Sequence, residues 1–266
     1  MKTKFLVLLT SFIFLLFSAT PSTKAASVSI QSQMLTLAEN AYKDQKVKTK
    51  VGNKWVLYKN SNQKVSGFNA KIYKRTVSKG KYEYCIAFRG TKEKLDLVTD
   101  LTNVMDGIKG LQTKKAISIT KDLIKKEKGN MKKLYFTGHS LGGFLASWVQ
   151  SEVIDGDIKV PVSSKAYVFN APGISTLNIL AIPLMSTISK VPNPFLKIFN
   201  TKELTVKMSK DKLKKYDKSI YNYLIKYDPV SLTGDNLGTV VWKKSKKSYK
   251  NPFKYHSLVR FHEIKL

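Results

Sequence analysis

The segment Gly138-His139-Ser140-Leu141-Gly142 constrains this chain more than any other stretch of it. It has the G-x-S-x-G pattern, is continued by Gly143, and falls between the apolar run 134–137 and a segment, 141–154, with helical character. A serine flanked by glycines at this spacing suits a backbone that reverses sharply from a strand into a helix, because side chains at the glycines would crowd the turn. Such a turn requires a buried strand with the following helix packed on it. Gly142, Gly143 and Ala146 let that helix lie close to the sheet. The serine hydroxyl is left exposed at the turn, which makes Ser140 a candidate nucleophile.

The rest of the chain is consistent with a layered α/β architecture. Met34, Leu37, Ala38 and Ala41 recur at helical spacing over 31–43. Segments 54–59, 68–77 and 82–88 read as strands separated by turns rich in Asn, Ser and Gly. Residues 95–128 are mostly helical in pattern and are closed by Gly129-Asn130. Further strands are expected at 166–169, 221–227 and 239–242, with a closing helix beginning within 257–261. Beyond residue 80 strands alternate with helices, which predicts a mostly parallel sheet flanked by helices in one domain spanning 26–266.

Two segments stand apart from this rhythm. Residues 1–25 carry a short basic start, an apolar run from Phe5 to Phe17 and Thr23-Lys24-Ala25 before Ala26. That layout predicts a secretory signal peptide, and hence a secreted, extracellular product. Residues 174–218 read as a cap insertion. Its first part is apolar but broken by Pro183, Pro192 and Pro194, and its second part, from Lys202 to Lys218, is heavily basic.

Charge and cysteine content narrow the partners. The formal net charge is +29, carried by 44 Lys and 3 Arg spread through every segment. Arg is the residue that recognises phosphate and guanine bidentately, and no helix-turn-helix, zinc or RNA-binding motif accompanies the charge. A specific nucleic-acid partner is therefore not expected. Attraction to an anionic membrane or cell-wall surface is, unless the lysines reflect only genome composition. The single cysteine, Cys85, excludes an intramolecular disulfide and lies in an apolar strand where a thiol acts as a small hydrophobe.

A serine hydroxyl needs a base, and the base needs an acid to orient it. In strand–turn–helix hydrolases the acid and then the histidine follow the serine along the chain. The chain has 3 histidines, and His139 is fixed beside the serine, leaving His256 and His262. His256 follows a loop-like stretch, 251–255, and is preferred as the base; His262 sits in an alternating tail and reads as a surface or edge position. Asp228 ends an apolar strand and precedes Pro229, at the strand edge where α/β sheets place their sites, and is preferred over Asp235, which reads as a turn residue. Two N–H donors are needed for a developing oxyanion. Leu141, next to the serine, offers one, and Thr91 in Phe88-Arg89-Gly90-Thr91 offers the other.

Taken in order, these blocks resemble the class 3 (fungal triacylglycerol-type) lipases and their bacterial relatives. The resemblance rests on 87–91, on Asp96 and Asp100-Leu101, on 137–143, on Val168-Phe169-Asn170-Ala171-Pro172-Gly173, on Tyr227-Asp228-Pro229-Val230 and on His256-Ser257-Leu258. It covers about residues 80–260 and implies an α/β-hydrolase fold. It further implies hydrolysis of triacylglycerol, phospholipid or simpler esters without a cofactor, with Thr91 and Leu141 in the oxyanion hole. The expected partner is thus a lipid or small ester substrate. Two competing readings are a phospholipase A1-like enzyme on anionic membranes and a non-catalytic protein kept for its basic surface. Oligomeric state is not encoded in any feature of the sequence.

Overall fold

Strands whose successive side chains point to opposite faces, and which are apolar on both, must be covered from both sides. In the computed structural model, which describes residues 28–62, 67–91, 109–174, 214–264 and 266, this is how the sheet is built. The segment expected to be a signal peptide lies outside the described residues. So do the first part of the helical stretch expected over 95–128 and most of the expected cap.

The elements follow in the order α1 (Ile30–Asn40), β1 (Lys50–Val51), β2 (Trp55–Asn62), β3 (Asn69–Ser78), β4 (Lys81–Phe88), α2 (Lys109–Glu127), β5 (Met131–His139), α3 (Leu141–Asp155), β6 (Ser164–Phe169), β7 (Ile220–Ile225) and β8 (Thr239–Lys243). A 3-10 turn at Pro252–His256 and a short helix α4 (Val259–Glu263) complete the chain. The eight strands form one sheet in sequential order. β1 to β4 pair antiparallel, whereas β4 to β8 pair parallel. The α/β-hydrolase-type sheet expected after residue 80 is therefore present, and an antiparallel meander is attached to its front. Both edges are short, which limits unwanted strand pairing.

Alternation along β4 and β5 sorts the core into two layers. Tyr84, Ile86, Phe88, Leu134 and Phe136 face the side that packs α2 and α3. Cys85, Ala87 and Tyr135 face α1 and the C-terminal α4. Leu134 and Phe136 are fully buried, each contributing about 2 kcal/mol by removal of apolar surface from water. Cys85 lies at the centre of the second layer with burial pushing its thiol up, in keeping with a packing role.

The register decides where chemistry can occur. Phe88 pairs with Gly138, and His139 pairs with Phe169, which in turn pairs with Tyr223. The carboxyl ends of β4 to β7 thus lie along one edge. The loops leaving them carry Gly90 and Thr91, Ser140, Asn170 and Asp228.

Of the boundaries that differ from the sequence expectation, two next to the site have identifiable reasons. α1 stops at Asn40 rather than running to residue 43, because the Lys71 ammonium on β3 takes the Asn40 carbonyl at 2.7 Å and also the Lys43 carbonyl. β7 stops at Ile225 because the chain turns there: Asp228 N–H donates to the Ile225 carbonyl at 3.2 Å, and Tyr227 adopts φ 71°. The last residues of the expected cap, 214–218, join the body of the domain. Tyr216 is buried in the core and its hydroxyl donates to the Asp155 carboxylate at the end of α3.

Candidate active site

Between β5 and α3 the backbone reverses at Ser140, which has φ 57° and ψ −132°. A non-glycine residue in this region stores about 1–3 kcal/mol of strain. It persists because the neighbours leave no alternative. Ser140 N–H donates to the Phe169 carbonyl at 3.1 Å, and the Ser140 carbonyl receives the N–H groups of Gly143 and Phe144 at 2.9 and 3.1 Å. A side chain at Gly142 would collide with the Phe88 carbonyl, and one at Gly138 with the Gly142 backbone. The turn expected from the glycine spacing is thus enforced by backbone-to-backbone approach.

Asp228 and His256 meet across the same edge. His256 Nδ1 lies 2.9 Å from Asp228 Oδ2 and 3.0 Å from Oδ1. The Asp228 carboxylate is fully buried and accepts two more bonds, from the Val230 amide at 3.1 Å and the Ser231 hydroxyl at 2.5 Å. Because the carboxylate accepts, His256 Nδ1 carries a proton and Nε2 is the bare, basic nitrogen. His256 Nε2 and Ser140 Oγ are both buried, and neither has a hydrogen-bond partner among the described residues.

The alternatives weighed on sequence occupy other roles. The His262 ring is half exposed and contacts the Glu39 carboxylate on α1. The backbone of Asp235 receives the Ile174 amide at 2.9 Å in a turn next to Gly234, which has φ +71°. Thr91 follows β4 with intermediate exposure. Leu141 opens α3, where the first amides of a helix lack intrahelical acceptors.

Three residues that hold this arrangement carried no local signal of doing so. Asn170, fully buried with φ 44°, donates to the Tyr255 carbonyl at 3.0 Å and accepts from the Ile225 amide at 2.8 Å and the Ser231 hydroxyl at 3.4 Å. It therefore ties the acid loop to the residue preceding His256. Ser231 fixes the carboxylate itself. Tyr42, beyond α1, donates its hydroxyl proton toward His139 Nδ1 at 3.0 Å and accepts the Gly90 amide at 3.1 Å.

His139 is the second buried imidazole here, its ring centroid 4.6 Å from that of His256. Burial first, and then the neighbouring His256, hold its basicity well below the ordinary value of 6.5. Its Nε2 faces the His256 carbonyl at 2.7 Å, so the proton of the neutral ring resides there. Tyr42, the other group facing the ring, is kept as the neutral hydroxyl by burial. The unfolded chain protonates this histidine below about pH 6.5 and the folded chain only at much lower pH. The His139 contribution to stability is therefore complete above that pH and is lost progressively as pH falls beneath it. Melting temperatures measured from pH 7 to 5 are expected to fall less steeply for His139→Gln than for the wild type; equal slopes would contradict a buried neutral imidazole.

A strained serine between a parallel strand and a helix, with a buried His–Asp pair on later loops of the same sheet edge, defines the chain as an α/β-hydrolase-fold protein. It belongs to the phospholipase-like family, matching the Tle-like phospholipase domain over residues 33–236. No curated protein matches the sequence at a significant level. Among solved structures, a lipase of Rhizopus microsporus var. chinensis is similar at 16% identity, covering 83% of this chain and 75% of that one with a TM-score of 0.50. Lipase II of Rhizopus niveus is 13% identical, covering 83% and 82% of the two chains with a TM-score of 0.48. A lipase of Yarrowia lipolytica is 14% identical, covering 80% and 77% with a TM-score of 0.48. Family and fold together support lipid-ester hydrolysis and agree with the class 3 lipase resemblance.

Proposed function

We propose that the protein is a serine carboxylic ester hydrolase acting on lipid esters through Ser140, His256 and Asp228. The observation that carries this reading is the presence on one sheet edge of a strained, buried Ser140 and of a His256 whose Nδ1 is committed to Asp228 while its Nε2 has no hydrogen-bond partner among the described residues. In the proposed reaction the Ser140 oxygen attacks the ester carbonyl carbon as its proton passes to His256 Nε2. The Leu141 amide and Thr91 stabilise the resulting oxyanion. Collapse breaks the bond to the alcohol oxygen, which leaves with the proton from His256, and the acyl group stays on Ser140. Water, deprotonated by the same nitrogen, then releases the fatty acid. Asp228 holds the ring in the required tautomer and stabilises the imidazolium formed twice per turnover. Turnover of a panel of p-nitrophenyl esters by the purified chain tests the reaction class, and failure to hydrolyse any would overturn it.

Within this class a phospholipid substrate is favoured by two observations: the phospholipase description of the family and the net charge of +29. Exposed lysines attract an anionic bilayer over a range set by screening, about 8 Å at about 0.15 M salt. Hydrolysis of phosphatidylglycerol vesicles is expected to outpace that of phosphatidylcholine vesicles, with the advantage shrinking as salt is raised. Equal rates on both would leave the lysines without a role in substrate choice. The segment 1–25 is read as directing secretion, which would bring the enzyme to such surfaces.

A further inference from the structure

One hydrogen-bonded path links the loop after β4 to the backbone of His256. The Gly90 amide donates to the Tyr42 hydroxyl, Tyr42 donates to His139 Nδ1, and His139 Nε2–H donates to the His256 carbonyl. We infer that Tyr42 is a positioning residue for catalysis, setting the Gly90–Thr91 loop and, through His139, the backbone of His256 in one fixed relation. This inference rests on the serine-hydrolase reading and adds the coupling between its two halves.

Several features show that the path is built rather than incidental. Gly90 is buried. Its amide is committed to Tyr42, which fixes the peptide leading into Thr91, the proposed donor to the oxyanion. A side chain at Gly90 would meet both the Tyr42 hydroxyl and the His139 carbonyl, so the loop sits directly against the path. Tyr42 itself is anchored from behind. The turn that carries it is held by the buried Lys71 ammonium on the carbonyls of Asn40 and Lys43, either side of Tyr42 in sequence. At the other end His139 is buried, with both ring nitrogens hydrogen-bonded. Its polarity there is informative, because an apolar residue in the same place would hold neither loop.

Interactions that orient donors and bases matter most in the transition state, so their loss lowers turnover more than substrate affinity. Tyr42→Phe removes one oxygen and is expected to lower kcat on a soluble p-nitrophenyl ester by about tenfold or more, with KM within about twofold. Tyr84→Phe serves as the comparison. It deletes a buried hydroxyl that bonds Glu127 away from this edge, and is expected to leave kcat unchanged. His139→Gln retains an amide N–H able to reach the His256 carbonyl, and should keep more of kcat than His139→Phe, which retains only bulk. Wild-type kcat in Tyr42→Phe, or equal losses in Tyr42→Phe and Tyr84→Phe, would overturn the inference. If Tyr42→Phe does not fold, the His139 pair decides: equal kcat in Gln and Phe variants would overturn it. An inert wild-type enzyme would instead sink the serine-hydrolase reading on which it depends.

Discussion

Replacing Ser140 with alanine is expected to abolish ester hydrolysis, lowering kcat by a factor on the order of 10⁴ or more, while leaving the fold intact. The two halves of this expectation come from different parts of the structure. The loss of rate follows because Ser140 Oγ is the one proposed atom that bonds to the acyl carbon, and no neighbouring hydroxyl shares its turn. Retention of the fold follows because Ser140 is held by its backbone: its N–H and carbonyl make three hydrogen bonds, whereas its buried side-chain oxygen makes none among the described residues. Removing an unpartnered buried hydroxyl is expected to leave the melting temperature unchanged or to raise it. Activity near the wild-type level would remove Ser140 from the mechanism. A collapse in melting temperature would show that the hydroxyl has a structural partner.

The second large effect concerns the pair that serves Ser140. His256→Ala and Asp228→Asn are each expected to cost a factor on the order of 10³ or more in kcat. Asp228→Asn is the more discriminating change, since the side chain keeps its shape. An amide at this position keeps one accepting oxygen where two now receive His256, Val230 and Ser231. It also carries no negative charge to stabilise the imidazolium formed during turnover. His262→Ala and Asp235→Asn should stay within about tenfold of wild type, because neither belongs to the set that acts as a unit. Hydrolysis of a p-nitrophenyl ester by all four variants checks this, and an inactive His262 variant beside an active His256 variant would reverse the assignment of the base.

The chain order of the site was legible in the sequence because each member sits where a local signal is strong. Ser140 is marked by its glycines, Asp228 by the end of an apolar strand before proline, and His256 by elimination among 3 histidines. The structure brings His256 within 2.9 Å of Asp228. Tyr42 and Asn170 lacked such signals because they act through long-range hydrogen bonds, whereas Ser231, three residues from Asp228, is one of many serines and no pattern sets it apart. Tyr42 and His139 are 97 residues apart, and Asn170 and Tyr255 are 85 apart, so no window of sequence contains both partners. Asn170 was visible only as part of a resembling block, and its positive φ, which marks it as a corner, is a property of the folded backbone.

Element boundaries shifted where tertiary contacts or exposed lysines overrode the local pattern. The helical period runs past Asn40, but a buried lysine from β3 captures the carbonyls there and ends the helix early. β5 begins at Met131 rather than residue 134, because Lys132 and Lys133 are exposed yet still in register, with Lys133 opposite Glu83. Lysines look like loop to a hydropathy reading, although an antiparallel or parallel ladder accepts them wherever their side chains reach water. β7 extends on pattern to residue 227 because Tyr227 is apolar in character, but its left-handed backbone has already left the ladder.

The central claim is that Ser140 forms a covalent bond with substrate. It is tested most directly by treating the purified protein with a fluorophosphonate and mapping the adduct by peptide mass spectrometry. The account predicts one adduct, on the peptide carrying Ser140, that is absent in Ser140→Ala and forms far more slowly in His256→Ala. An adduct on any other residue, or none on a folded wild-type protein, would contradict it.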